Sequence, residues 1–210
     1  MKIRALAIIS ALALPAVALA DDKTPADTTK SDTAKSDTAS AKLSDSDAKI
    51  VAHLHHVNQM EIDLGKAAQK SGTAGVKTYG ETLVTDHQSA DKDLTSFAKT
   101  HKLATIPADK PMTDADKQED KEMQSQVTKL KSLKGAEFDR EFLNMMAAGH
   151  DKELAKIDVA MGAATDPDLQ SMLKATKPVL QRHADQARDL QKNPQAAADM
   201  PADKVPTSTK

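Results

Sequence analysis

Apolar side chains recur in alternating steps of four and three along four stretches of this chain, and each stretch places one ionisable residue inside the apolar stripe. In the first, Ile50, Leu54, Val57, Glu61, Leu64 and Ala68 share one side of a helix. In the second, Val76, Gly80, Leu83, His87, Ala90, Leu94 and Phe97 follow the same rhythm. The third stripe is Leu143, Ala147, His150, Leu154, Ile157 and Met161, and the fourth is Leu169, Leu173, Thr176, Leu180, His183, Ala187 and Leu190. Glu61, His87, His150 and His183 therefore face inward at positions where a helical bundle normally carries leucine.

Local signals bound these helices. Ser44 followed by Asp47 predicts an N-cap for a helix over about Asp45 to Ser71, ended by Gly72. The second helix runs from about Ala74 to His101. Pro107 and Pro111 then break the chain, and Thr113 with Asp114 and Asp116 opens a strongly charged helix to about Leu133. Gly135 precedes a helix over about Ala136 to Ala164, and Asp166-Pro167 supplies a cap and a first-turn proline for the last helix, to about Gln191. Pro178 should bend that last helix one turn before His183. Two helical hairpins joined by a long connection predict an all-α four-helix bundle over residues 45-192, with an extra charged helix in the connection between helices 2 and 3.

Whether the four inward groups meet depends on that connection. Measured at 1.5 Å per residue from the end holding the first tight turn, Glu61 lies about 16 Å and His87 about 22 Å deep. His150 lies about 22 Å from the start of its helix. A connection that crosses over puts His183 about 12 Å from the same end, and one that does not puts it about 27 Å away. Periodicity does not choose between the two.

Buried carboxylate and imidazole groups need partners. A divalent ion satisfies them directly, because neutral imidazole nitrogen and carboxylate oxygen are ligands for Zn, Fe, Mn and Cu. Glu61, His87, His150 and His183 are thus candidate ligands of a single metal. The alternative is a hydrogen-bonded Glu/His network that fixes helix register and binds no metal. Glu153, one turn after His150, and Asp86, beside His87, are candidates for orienting ligand histidines, although both also fit surface ion pairs. Asn58 is placed to hydrogen-bond the Glu61 carboxylate. His53 and His56, one turn apart, form a separate histidine pair suited to weak surface coordination. Met145, Met146 and Met161, near His150, offer thioethers to copper or simply fill gaps in a core that has few aromatic rings.

Composition narrows the function classes. The chain opens with Lys2 and Arg4 and an apolar run to Ala20, which reads as a cleaved signal peptide over residues 1-20 and predicts a periplasmic or secreted protein. No later run is long enough for an integral membrane segment. Residues 21-44, which include a tandem KSDTA repeat, read as a disordered linker, and residues 193-210 as a disordered tail. The 29 basic and 31 acidic residues are intermixed for a formal charge of −2, which leaves no electrostatic footprint for nucleic acid. The absence of cysteine excludes disulfides, thiolate ligands and thiol nucleophiles. No nucleophile elbow, phosphate loop or dinucleotide fingerprint is present, so no catalytic residue is assigned. The expected form is a monomer or small homo-oligomer.

The stretches QMEIDLGKAAQKSGTAGVKTYGETLVTDHQSADKDL, GAEFDREFLNMMAAGHDKELAKID and DPDLQSMLKATKPVLQRHADQA resemble a bacterial family known as domain of unknown function 4142. The resemblance rests on an inward Glu61, on Asp86-His87, on Phe138-Asp139-Arg140 followed by His150-Asp151, and on the late His183. It implies an exported, ferritin-like four-helix bundle, while the four matched inward positions lead to the expectation of a single-metal role in metal handling or envelope stress protection. Ferritin-like di-iron proteins carry a carboxylate one turn before each of two ligand histidines. Val84, Ala147 and Leu180 occupy those positions in this chain, so the bridging carboxylates of a di-iron centre are missing.

Overall fold

Every predicted helix forms. The computed structural model describes residues 42–193, and the chain there is all-α: α1 (Asp45–Ser71), α2 (Ala74–Thr100), α3 (Asp114–Ser132), α4 (Gly135–Ala163) and α5 (Pro167–Lys192), with no strand among the described residues. The signal peptide, the linker up to residue 41 and the tail from residue 194 lie outside the described residues. Leu43, read with the linker, is buried in the core, so packing begins two residues before α1.

The helix ends follow from their capping residues. The Ser44 hydroxyl accepts the Asp47 N–H at 3.1 Å, and Thr113 with Asp116 forms a reciprocal capping box on α3. One oxygen of Asp166 accepts the N–H groups of Asp168 and Leu169, with Pro167 in the first turn of α5. Gly135 takes a positive φ of 57°, which reverses the chain between α3 and α4 at little steric cost. α5 runs uninterrupted through Pro178.

Three polar pins set the topology. The Asp139 carboxylate, near the start of α4, accepts the Thr73 N–H at 3.1 Å and the Thr73 hydroxyl at 2.6 Å, which ties the α1–α2 turn to the start of α4. At the opposite end the Asp47 carboxylate accepts the Thr165 N–H at 2.9 Å and its hydroxyl at 2.5 Å, which ties the start of α1 to the α4–α5 turn. His101, just past α2, pairs with Asp166 at 3.0 Å. α1 is consequently antiparallel to α4, and α2 to α5, in agreement with their side-by-side packing. The chain leaves α2 at one end and enters α4 at the other, so the connection crosses the length of the bundle. Of the two paths that periodicity left open, the chain takes the crossing one.

Within the first hairpin, α1 and α2 touch backbone to backbone at Gly65 and Gly80. A Cβ on Gly65 would lie 2.8 Å from the Gly80 carbonyl oxygen, and one on Gly80 would lie 2.7 Å from that of Gly65. The core divides into two apolar clusters. One gathers Leu64, Leu83, Phe138, Phe142 and Leu190, and the other Val51, Leu94, Ile157, Leu173 and Leu180. On each of α1, α2, α4 and α5 the inward ionisable residue falls between the positions that feed the two clusters, so the polar residues make a layer across the middle.

Candidate metal centre

His87 on α2, His150 on α4 and His183 on α5 converge in that layer. Each offers a ring nitrogen that lies within 4.8 Å of those of the other two. The ring centroids are separated by 6.1 Å (His87 to His150), 5.4 Å (His87 to His183) and 5.2 Å (His150 to His183). All three are buried, and His183 is 0% exposed.

Each ring is held from behind. His150 Nδ1–H donates to the Met146 carbonyl, one turn earlier on its own helix, at 2.8 Å. His183 Nε2–H donates to the Asp86 carboxylate at 2.8 Å, and Asp86 also receives Arg182 at 2.9 Å. His87 Nδ1–H donates to the Asn58 side-chain oxygen at 2.9 Å. A carbonyl or carboxylate oxygen can only accept, so these bonds fix the protonated nitrogen of each ring and leave the other with a lone pair. The leftover nitrogens, Nε2 of His87, Nε2 of His150 and Nδ1 of His183, are buried and have no hydrogen-bond partner.

Electrostatics favour the neutral form of His87 and His183. Burial, then the neighbouring His183 and His150, depresses His87 from 6.5 to about 3. Burial also lowers His183, against the raising effect of its bond to Asp86. Burial raises Asp86 as well, but the bonds from His183 and Arg182 outweigh it and hold the carboxylate below its ordinary range. Neutral imidazoles with fixed tautomers and inward lone pairs are the state in which histidine coordinates a metal.

Glu61 is buried at 5% exposure in the same layer, but it falls outside the set of mutually close ligand atoms. Its Oε2 is unpartnered. Burial raises its carboxyl, His150 partly offsets this, and Glu153 adds to it. Glu61 faces a cleft of 470 Å³ between α1 and α4, beneath α3 and the chain leading to it, and His87, His150 and Glu153 line the same cleft. The cleft reaches His87 and His150 but not His183.

Several supporting residues take other roles than their sequence positions imply. Asn58 serves His87 rather than Glu61. Asp86 adjoins His87 in sequence but orients His183 across the helix pair, and it is no mere surface ion-pair residue. Glu153, which also read as fitting a surface ion pair, is 8% exposed, and its Oε2 accepts from His53 Nε2 at 3.2 Å. His53 also donates from Nδ1 to Asp109 in the crossing connection at 2.8 Å, and the bond to Glu153 is the main cause that raises its pKa. His55 pairs with Asp91, and His56, the predicted partner of His53, is exposed. Sequence periodicity missed the Met146 carbonyl, whose role is visible only as a residue four positions before an inward histidine. A second close group, His101 with Asp166 and Asp168, is a structural pin, because both His101 nitrogens are already bonded, to the Phe97 carbonyl and to Asp166.

Fold and centre together define a helical bundle with a buried cluster of three histidines, each with one buried ring nitrogen that lacks a hydrogen-bond partner. The chain belongs to the family described as domain of unknown function (DUF4142), whose model matches residues 32–190. None of the curated proteins and none of the solved structures matches the chain significantly. Among the described residues no helix is long and apolar enough to cross a membrane.

Proposed function

We propose that this protein is an exported, ferritin-like four-helix bundle that binds one transition metal ion, Zn, Fe, Mn or Cu, through His87, His150 and His183. Glu61 sits beside the ion and balances its charge, and the role is metal handling or stress protection in the envelope. One observation carries this reading: three buried ring nitrogens, each freed by a hydrogen bond on the far side of its ring, are left without partners in a cluster whose ring centroids lie 5.2 to 6.1 Å apart. A purely structural network would satisfy those nitrogens through one another or through Glu61. A cation satisfies them all at once, and at metal–nitrogen distances of about 2.0–2.1 Å it requires only a modest contraction of the cluster.

The test is elemental analysis of the purified protein together with its melting point in Zn, Cu, Mn and Fe. An ion that binds only the native state stabilises it by about 2.7 kcal/mol at a hundredfold excess over its Kd. His150→Ala should abolish that gain, and a His53→Ala/His56→Ala double variant should retain it. If no metal co-purifies and none raises the melting point, the bundle binds no ion and its histidine layer serves register alone.

A further inference from the structure

We propose that the cleft beside the histidine cluster binds monovalent copper through methionine thioethers. Five of the seven methionines among the described residues line this one cleft: Met60, Met112, Met123, Met145 and Met146. They come from α1, from the crossing connection, from α3 and from α4, so no single helix stripe accounts for them. Separate elements direct the same side chain toward a common space.

Packing accounts for Met146 and for Met60 and Met145, which lie against the core, but not for Met112. Met146 is 1% exposed and fills core. Met60, Met123 and Met145 are half-buried along the walls. Met112, at the rim, is 71% exposed and fills no gap at all. Methionines thus line the cleft together with His150, whose ring is positioned by the Met146 carbonyl. The chain has no cysteine, so thioether is the only soft donor it possesses. Soft sulfur ligands select Cu(I) over Zn(II) and the harder divalent ions. Charged side chains of both signs ring the mouth, so selection there falls to the sulfurs and not to a net field.

The proposal rests on the metal-binding reading only for the ion's destination at the histidines; binding in the cleft stands separately. The full chain, labelled with ¹³C at the methionine methyls, is titrated anaerobically with Cu(I) kept reduced by ascorbate, and in parallel with Zn(II). Cu(I) should shift the methyl resonances of the cleft methionines and leave those of Met161 and Met172 in place, whereas Zn(II) should shift none of the rim methyls. Replacing Met60, Met112, Met123 and Met145 together by leucine keeps apolar volume and should weaken Cu(I), measured against a chromophoric chelator, roughly tenfold or more while Zn(II) affinity is unchanged. In His150→Ala the Cu(I)-induced methyl shifts should persist although Zn(II) binding is lost. Cleft methyls that do not move with Cu(I), or a leucine variant that binds Cu(I) as tightly as the parent, would overturn the proposal. The methyl shifts decide the cleft whatever Zn(II) does at the histidines.

Discussion

The bundle buries ionisable groups in two settings, at its ends and at its middle, and treats them in opposite ways. Asp47 and Asp139, 1% and 5% exposed, each take the backbone N–H and the hydroxyl of one threonine in the facing turn. Burial pushes Asp47 up, but bonds from Thr165, Ser44 and Asp166 more than compensate and hold it below its ordinary value. In the middle layer, by contrast, Glu61, Glu153 and all three histidines keep at least one buried atom without a partner. Both sets are nearly closed to solvent, but the middle layer lies deeper in the protein, so the two differ in depth as well as in hydrogen bonding. Where a polar group is fully bonded it fixes the fold; where it is left open while its other side is carefully held, it is poised for a ligand.

This contrast is open to direct attack. The largest effect should come from Asp139→Ala, which strips two donors of their buried acceptor and cuts the tie between the α1–α2 turn and α4. A loss of about 3 kcal/mol in urea unfolding is expected, and a loss below about 1 kcal/mol would erase the distinction between ends and middle. The second effect is pH dependence in metal-free protein. The folded-state pKa of His87 lies at about 3 and its ordinary value is 6.5. Its contribution is therefore complete above pH 6.5 and is lost as pH falls toward 3, because the unfolded chain takes up a proton that the folded one refuses. For this group the slope approaches about 1.4 kcal/mol per pH unit. Unfolding followed between pH 7.5 and 5 should show the decline, and His87→Gln should flatten it; an unchanged slope would mean that His87 is solvated. The smallest effect has the opposite sign. Glu61 is raised above 4.5, so its contribution is present below that value and lost as pH rises through the folded value. Glu61→Gln should therefore stabilise the metal-free protein at neutral pH by about 1 kcal/mol, while Asp47→Asn destabilises it. A destabilised Glu61→Gln would show that the middle carboxylate is bonded after all.

Much of this was legible in the sequence, because a 3.6-residue period is a local property. The four stripes located the helices that build the bundle, and Ser44, Thr113 and Asp166 located the capped starts. The same stripes singled out His87, His150 and His183, which do converge. What periodicity could not carry was the relation between helices. The crossover depends on which ends Asp139 and Asp47 pin, and in sequence Asp47 reads as part of a helix cap and Asp139 as part of a family motif, neither as a tie between helices. Asp86 sits next to one histidine along the chain and supports another across the bundle, a relation that exists only once α2 lies beside α5. Glu153 flanks the stripe of α4 and becomes buried because His53 and the crossing connection lie against it. Glu61 satisfied the stripe as well as any histidine, yet a shared stripe fixes the face and not the reach of a side chain.

The division of the histidines between hairpins also bears on the order of folding. α1–α2 and α4–α5 are each closed by a tight turn, and the backbone contact at Gly65 and Gly80 locks the first pair. Contacts between residues near in sequence form early, and those that need the long connection closed form late. His87 belongs to the first hairpin and His150 and His183 to the second, so the cluster does not exist until the hairpins dock. An ion held there couples to docking and leaves the internal formation of either hairpin untouched. Its binding energy would accordingly slow the parting of the two halves more than it speeds their construction, making the ion a latch on the assembled bundle.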